Sequence, residues 1–535
     1  IIQIRLTGVI SGLWPPQDAL SLQRREAGVK GARSVENPPS LHYSTGMKPI
    51  VTAASVAQTD QRAQHEARIP ALLLMESAGL QAWQVLRSHL TTRDSSLLFL
   101  VGGGNNGGDA LVVSRYAYND GYRNQRIFLL GAKPSPSCAA QLLIMETYKV
   151  PFIGEEELDA ALSAAHWIID GIAGTGLAGP LRSQASVLVE RANASHAQIF
   201  SIDIPSGLGD QVPVTAPSIM AACTVTMGAL KSAMFHPKSR ARCGKIIVVN
   251  PSFPPAIIEE MERVACLAES PVALAPLRRD DYKNTRGHLA IFGGSPPYSG
   301  ALRLSSRAAF AARSGLVTLA CDDQIMAIVA SEAPSVMVRS ASGVDPAAYD
   351  VLVAGPGWGG GRAALLKRLL GTHVPLVLDA DGITALAEII ASDGIPEHGT
   401  LTITPHLGEL ARLASALGIN DDKSPRSFFS MIEGIAERLD AILVVKSSLV
   451  HIVEPGRPTI VVDGSNPSLG VAGSGDLLSG IIAALWVSGN DQATAALGGV
   501  QVHQEAGRRA HEAVGYYDSE HLVDYIGTVV KEAER

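Results

Sequence analysis

The sequence predicts an α/β protein built from two three-layer αβα domains. Short apolar runs of strand length alternate with amphipathic helical segments along most of the chain. Fifty-two glycines stand beside only 5% aromatic residues in 535 positions, a balance suited to many strand-to-helix turns. Glycine and polar residues gather just after the apolar runs, where open parallel sheets bind their ligands. A chain of this length exceeds one ordinary core, so at least two domains are expected.

Residues 1–46 lack Met, mix Arg pairs with Pro pairs, and show no sustained periodicity. They are expected to be a disordered or non-native upstream segment; no apolar stretch with a small-residue cleavage site marks a secretory signal. A domain over 47–260 follows, with strand candidates at 96–101 (SLLFLV), 126–130 (RIFLL), 166–170 (HWIID), 198–204 (QIFSIDI) and 245–250 (KIIVVN). Proline punctuation marks a linker at 261–276. The second domain, 277–535, resumes with HLAIFGGS, LVTLAC, DVLVAGPG, PLVLDADG, TLTITPHLG, AILVVKSS and TIVVDG. Both halves read as parallel sheets.

Several functions are excluded early. The net charge of −7 and the lack of a dense Lys/Arg run argue against nucleic acid as a partner. Nothing approaches the roughly 18 consecutive apolar residues of a membrane span. Five scattered cysteines without a CxxC read as reduced thiols of a cytoplasmic protein, not a disulfide frame or a zinc site.

In the first half, Gly102 to Gly107 match GxGxxG after a strand. A dinucleotide turn of that kind needs an acid at the end of the next strand, and that strand runs into Gly131-Ala132-Lys133 instead. Asn106, Asp170 and Ser206 offer the hard oxygens that suit a cation. Asp203, at the end of QIFSIDI, stands where a general base is useful; a single Asp in such a loop also serves as a turn or cap.

In the second half, apolar residues at 477, 478, 481, 482, 485 and 486 form one helical face. Gly473, Ser474 and Gly475 precede it and deliver Asp476 to the first turn. Free N–H groups there suit a phosphate, and the Asp can take a proton from an attacking hydroxyl. No GxxxxGK[ST] occurs, which excludes a Walker-type site. GPGWGG (355–360) is a second literal GxGxxG.

Taken in order, IPALLLMESAG (69–79), GGGNNGGDALV (102–112), DGIAGTGLAGP (170–180), SIDIPSGLGD (201–210) and TMGALKSAMF (226–235) resemble the Rossmann-like epimerase domain of NAD(P)H-hydrate repair enzymes. The resemblance implies that Asn105, Asn106, Gly107, Gly108 and Asp109 hold the hydrated dinucleotide. A second loop, Gly174, Thr175, Gly176, Leu177, Ala178, Gly179 and Pro180, would hold it from the other side. It implies K+ between Asn106, Asp170 and Ser206, Asp203 as the catalytic and substrate-contacting acid/base, and Lys231 near phosphate. The family loop continues Asp-Gly, whereas here Asp109 is followed by Ala110.

GSGD at the start of a late helix is similar to the ribokinase-like superfamily. YKNTRGHLAIFGGSPPYSGA (282–301), GPGWG (355–359), LDADG (378–382), TPHLGEL (404–410), VVKSS (444–448) and SNPSLGVAGSGDLLSG (465–480) narrow it to ADP/ATP-dependent NAD(P)H-hydrate dehydratases. Carried over by position, Ala301, Gly357, His406 and Asp476 contact the hydrate, with Asp476 as base. Lys446, Ser447, Ser448, Leu449, Val450 and Gly475 line the adenine nucleotide, ADP or ATP, with Mg2+ on its phosphates. Departures fall at Asn284 in the opening loop, at Ser447 where the family has Gly, and at Gly470 to Gly473.

The implied function is a bifunctional repair enzyme for NAD and NADP cofactors, isomerase and lyase in one chain. It would interconvert R and S hydrates and phosphorylate the S form, whose phosphate then leaves. A homo-oligomer is expected. The alternative is a ribokinase-like small-molecule kinase with a non-catalytic N-terminal binding domain.

Overall fold

The computed structural model describes residues 46–131 and 133–534; the expectation for residues 1–46 lies, but for Gly46, outside the described residues. Strand β1 (Met47–Val51) comes first, followed by β2 (Leu97–Val101), β3 (Gln125–Leu129), β4 (Phe152–Ile153), β5 (Trp167–Gly171) and β6 (Gln198–Ile202). Next are β7 (Cys223–Met227), β8 (Leu230–Lys231), β9 (Lys245–Val249) and β10 (Arg263–Ala268). The later strands are β11 (His288–Phe292), β12 (Leu316–Cys321), β13 (Met337–Ser340), β14 (Val351–Ala354) and β15 (Leu376–Leu378). The last are β16 (Leu401–Ile403), β17 (Ala441–Val445), β18 (Leu449–Val453) and β19 (Thr459–Asp463).

The first sheet has the order β4-β3-β2-β5-β6-β7-β9 and is parallel throughout. Its pleat sorts the apolar runs. Leu97, Phe99 and Val101 face a core shared with helices Ala71–His89 and Asn105–Asn119, while Leu98 and Leu100 face helices Glu155–Ala164 and Ser183–Ala194. With both faces covered, strands read as continuous apolar runs.

The second sheet repeats the three-layer plan. Ala290 and Phe292 of β11 join the core under helices Ala380–Asp393 and Pro425–Leu439. Leu289 and Ile291 join the core under helices Ser474–Val487 and Gln492–Val514. Its order is β13-β12-β11-β14-β15-β16-β17-β18-β19-β10-β1-β8. The sheet is mixed, which corrects the parallel expectation for this half. β17, β18 and β19 run antiparallel in succession, because residues 446–448 are too few for the dozen or more that a parallel crossover needs.

A second correction concerns 261–276. This stretch, read as a linker, contains β10, which pairs parallel with β19 and antiparallel with β1. β8 then adds to β1. Two strands from the first half thus finish the sheet of the second.

The two halves also share a core: Ile204, Leu208, Leu230, Met234 and Phe235 cluster with Phe428, Ile403 and Val445. Polar bonds cross the same boundary. His451 Nε2 donates to the Phe235 carbonyl at 2.8 Å, and Arg240 Nε donates to Asp463 Oδ2 at 2.6 Å. Burial pushes the His451 imidazole down to about 4, so it stays neutral there. Among the described residues no helix is long and apolar enough to cross a membrane, and the five cysteines are buried and unpaired.

Candidate active sites

The first cleft opens beyond the carboxyl ends of β2, β5 and β6 and encloses about 490 Å3. Gly102-Gly103-Gly104 lead straight into helix Asn105–Asn119. A Cβ on Gly107 would lie 1.9 Å from the Gly102 carbonyl oxygen, so glycine lets the first helical turn sit against the strand end. Ala110 is fully buried inside that helix and has no positive φ. Alanine therefore suits the position where the family usually has glycine.

Asn105, Asn106, Asp109, Gly174, Thr175, Gly176, Leu177 and Asp203 line the cleft. Gly107 and Gly108 are buried beneath it, and Ala178, Gly179 and Pro180 are not part of the wall. A Cβ built on Gly174 would stand 3.2 Å from Asp203 Oδ2 and 3.3 Å from Asn106 Cβ; these three residues meet at one point. Both polar atoms of the Asn106 amide are buried without a hydrogen-bond partner, an arrangement that costs free energy unless a ligand completes it.

Asp170 and Ser206 are fully buried. The Asp170 carboxylate accepts from Ser206 Oγ at 2.5 Å, from Ser206 N at 2.9 Å and from Ser201 Oγ at 2.8 Å. Burial nevertheless raises its pKa above the ordinary carboxylate value, outweighing those bonds.

Asp203 adopts a left-handed backbone, φ 67°, a conformation that Asp tolerates better than most residues. Its Oδ1 accepts from Lys231 Nζ at 2.6 Å, and its Oδ2 from the Thr175 amide at 3.2 Å. Burial would raise this carboxyl, but the Lys231 ammonium overcomes it and holds the group below its usual value. Lys231 itself is wholly buried and also donates to Thr226 Oγ1 at 2.6 Å and to the Met227 carbonyl at 2.8 Å. With all three protons committed inside the protein, Lys231 is not a phosphate contact. That expectation is corrected.

The second constellation sits at the carboxyl ends of β14, β15, β16 and β17. Gly473, with φ 86°, turns the chain into helix Ser474–Val487 and places Asp476 in its first turn. A Cβ on Gly475 would lie 3.3 Å from Lys446 Nζ, which donates to Asp379 Oδ1 at 2.5 Å. Asp476 is thereby surrounded by charge. Burial, then the Asp379 carboxylate, raises it to about 7 against the pull of Lys446, and Asp381 adds to the rise.

His406 caps helix Leu407–Ala416, its Nδ1 accepting from the Gly408 amide at 2.9 Å. The ring stays 60% exposed, so capping leaves it open to solvent, and its backbone bridges Lys446. Gly357 lies against Ala301: a Cβ there would stand 3.1 Å from the Ala301 Cβ. Ser447 Oγ spans the turn by accepting from the Leu449 amide at 3.1 Å. Leu449 and Val450 belong to β18, and their side chains enter the two opposite cores. Only their backbone is left to face a nucleotide.

Two site residues carried no role in the sequence reading. Asp379 is visible there only as part of LDADG after a strand. His503, fully enclosed, meets Ser474 Oγ at 3.0 Å and steadies the GSGD turn, with no spacing signal to announce it.

The family model described as NAD(P)H-hydrate dehydratase matches residues 289–528, and the one described as YjeF-related protein N-terminus matches 71–233. The bifunctional NAD(P)H-hydrate repair enzyme Nnr of Moorella thermoacetica is 31% identical over 91% of this chain and 97% of its own length. That of Thermofilum pendens is 32% identical over 87% and 93%. A crystal structure of the Bacillus subtilis ADP/ATP-dependent NAD(P)H-hydrate dehydratase, co-crystallized with ATP/Mg2+, matches 49% of this chain and 95% of its own. It does so at 21% identity with a TM-score of 0.44. These relatives match most of the chain, and the chain belongs to the family of bifunctional NAD(P)H-hydrate repair enzymes.

Proposed function

We propose that the two clefts act in series on hydrated nicotinamide cofactors, the first supplying the epimer that the second consumes. The chain is an NAD(P)H-hydrate epimerase and an ADP/ATP-dependent NAD(P)H-hydrate dehydratase. The epimerase unit is drawn from 47–260 and the dehydratase unit from 277–535, with β1, β8 and β10 as common framework.

In the first cleft Asp203, ionised beside Lys231, acts as acid/base on the C6 hydroxyl of the hydrate. The loop 105–109 and the residues Gly174 to Leu177 hold the dinucleotide. Asn106, Asp170 and Ser206 would hold K+: the Asn106 amide lacks any protein partner, and hard oxygens are what such an ion requires. A cation there would supply the positive charge that the buried Asp170 otherwise lacks.

In the second cleft Asp476 accepts the proton of the C6 hydroxyl as it attacks the donor phosphate. Ala301, Gly357 and His406 frame the hydrate; Lys446, the backbone of 447–450 and Gly475 frame the nucleotide. Hydroxide is a poor leaving group and phosphate a good one, so a kinase-like step makes dehydration feasible. Magnesium, which neutralises phosphate charge when bound, would come with the nucleotide. Among the described residues no three His, Cys, Asp or Glu side chains are gathered to hold a metal.

The observation that supports this reading best is Asp476 at about 7 beside Lys446 and the free N–H groups of a helix start. A general base works best when it titrates near the operating pH. The test is recovery of reduced-nicotinamide absorbance from mixed R and S hydrates with Mg2+, K+ and ADP or ATP in turn. Asp476→Asn should abolish repair of the S hydrate, and Asp203→Asn should strand the R hydrate at short times. Failure of the native chain with both donors would overturn the assignment of the second cleft.

A further inference from the structure

Asp109 projects into the first cleft from helix Asn105–Asn119, facing the same space as Asp203. The two carboxyls differ in company. Asp203 has Lys231 and the Thr175 amide. The Asp109 side chain is bound by no hydrogen bond or ion pair among the described residues, yet it reaches the cleft wall.

Its other side-chain neighbours add no positive charge. Asp60, from helix Ala53–His65, also lines the cleft and accepts from Gln64 Nε2 at 2.6 Å. Cys138, from helix Pro136–Tyr148, is a buried thiol raised by burial and by Asp109. Lys231 stands behind Asp203 with Asp210 as its further acidic neighbour. Burial, then the charges of Asp203 and Asp60, hold the Asp109 carboxyl well above the ordinary range. One carboxyl held by a lysine and one left without a partner thus share a cleft, an arrangement in which acid and base roles are divided between like groups.

We propose that Asp109 is the general acid that works opposite Asp203 in epimerisation, and that Lys231 is the positioning residue that keeps the two roles apart. This rests on the reading of the first cleft as the epimerase site. The reacting carbon, C6, carries a hydroxyl and is bonded to ring nitrogen N1, so it is a hemiaminal carbon. Asp203 takes the hydroxyl proton, the C6–O bond becomes a carbonyl, and the C6–N1 bond breaks. Its electron pair goes to N1, which takes the proton of Asp109. Rotation about C5–C6 then presents the other carbonyl face. N1 attacks that face, returning its proton to Asp109, while the carbonyl oxygen recovers the proton held by Asp203. Every atom and electron is restored, and neither a redox partner nor a net change of water is needed.

The experiment uses the full chain with purified R hydrate, following R-to-S conversion at short times across pH. The native profile of kcat/KM should be bell-shaped. Asp109→Asn should lower kcat by on the order of 10²–10⁴-fold and erase the alkaline limb; Asp109→Glu should restore that limb with part of the rate. Lys231→Met should move the acid limb to higher pH, since it removes the charge that keeps Asp203 ionised. Dehydration of S hydrate by the same samples reports whether each variant is folded. A raised KM with kcat and both limbs unchanged in Asp109→Asn would overturn the proposal, leaving Asp109 a binding group. Unchanged epimerisation in Asp203→Asn would instead overturn the reading of the cleft itself.

Discussion

Asp476→Asn should make the protein more stable while destroying its dehydratase. In the folded chain this carboxyl rises from 3.8 to about 7, chiefly through burial, with Asp379 adding to the rise and Lys446 opposing it. Between those two pH values the folded protein holds a proton that the unfolded chain has released, so stability falls as pH climbs through the window and levels off above it. At roughly 1.4 kcal/mol per pH unit, the ionised carboxylate costs about 4 kcal/mol at pH 8. The amide escapes that cost. The variant should match the native chain near pH 4 and exceed it by up to about 4 kcal/mol near pH 8. Guanidinium unfolding of the full chain at both pH values reads the difference, and S-hydrate turnover should fall on the order of 10²–10⁴-fold. Equal stability of the two proteins near pH 8 would refute the claim that the fold holds this charge at a cost. Undiminished turnover would refute its role as base.

Lys446→Met should shift the dehydratase kcat/KM profile to higher pH, because Lys446 is the group that restrains the rise of Asp476; profiles of both proteins measure it. Ala110→Gly should cost about 1 kcal/mol of stability with epimerisation unchanged, since Ala110 is helical and buried. Gly171→Ala should be worse, by roughly 1–3 kcal/mol, because its Cβ would stand 2.5 Å from that of Ala110; thermal scans of both variants give the order. His451→Leu leaves the buried Phe235 carbonyl unpartnered and should cost roughly 1–3 kcal/mol, read as a lower denaturation midpoint.

Most strands of both sheets were legible because each is an apolar run closed by glycine or a polar loop. β7 was not. Its Thr224 and Thr226 look like solvent-facing residues, but both are fully buried. Their hydroxyls donate to the Cys243 carbonyl at 2.7 Å and the Ala229 carbonyl at 3.4 Å. β1 contains Pro49, and β10 lies between Pro255 and Pro271 in a stretch punctuated by proline. Both form strands by pairing with segments far away in the chain, which local periodicity does not carry. The same holds for the sites. GSGD and the Asn/Asp/Ser set are local and could be read directly. The Lys446–Asp379 pair spans 67 residues, so Asp379 drew no role. Lys231 was assigned to phosphate because burial cannot be read from a lysine in a motif.

The order β19-β10-β1-β8 has a bearing on whether the enzyme can be divided. A cut after β10, between residues 268 and 277, would not release two finished modules. The downstream piece would begin with the flank of β19 laid bare, a row of unpaired amides and carbonyls that invites aggregation. The upstream piece would keep β10, β1 and β8 as a three-stranded remnant parted from the larger sheet, and Lys231 on β8 would lose part of the framework that seats it under Asp203. Severing the polypeptide there should therefore impair both chemistries at once.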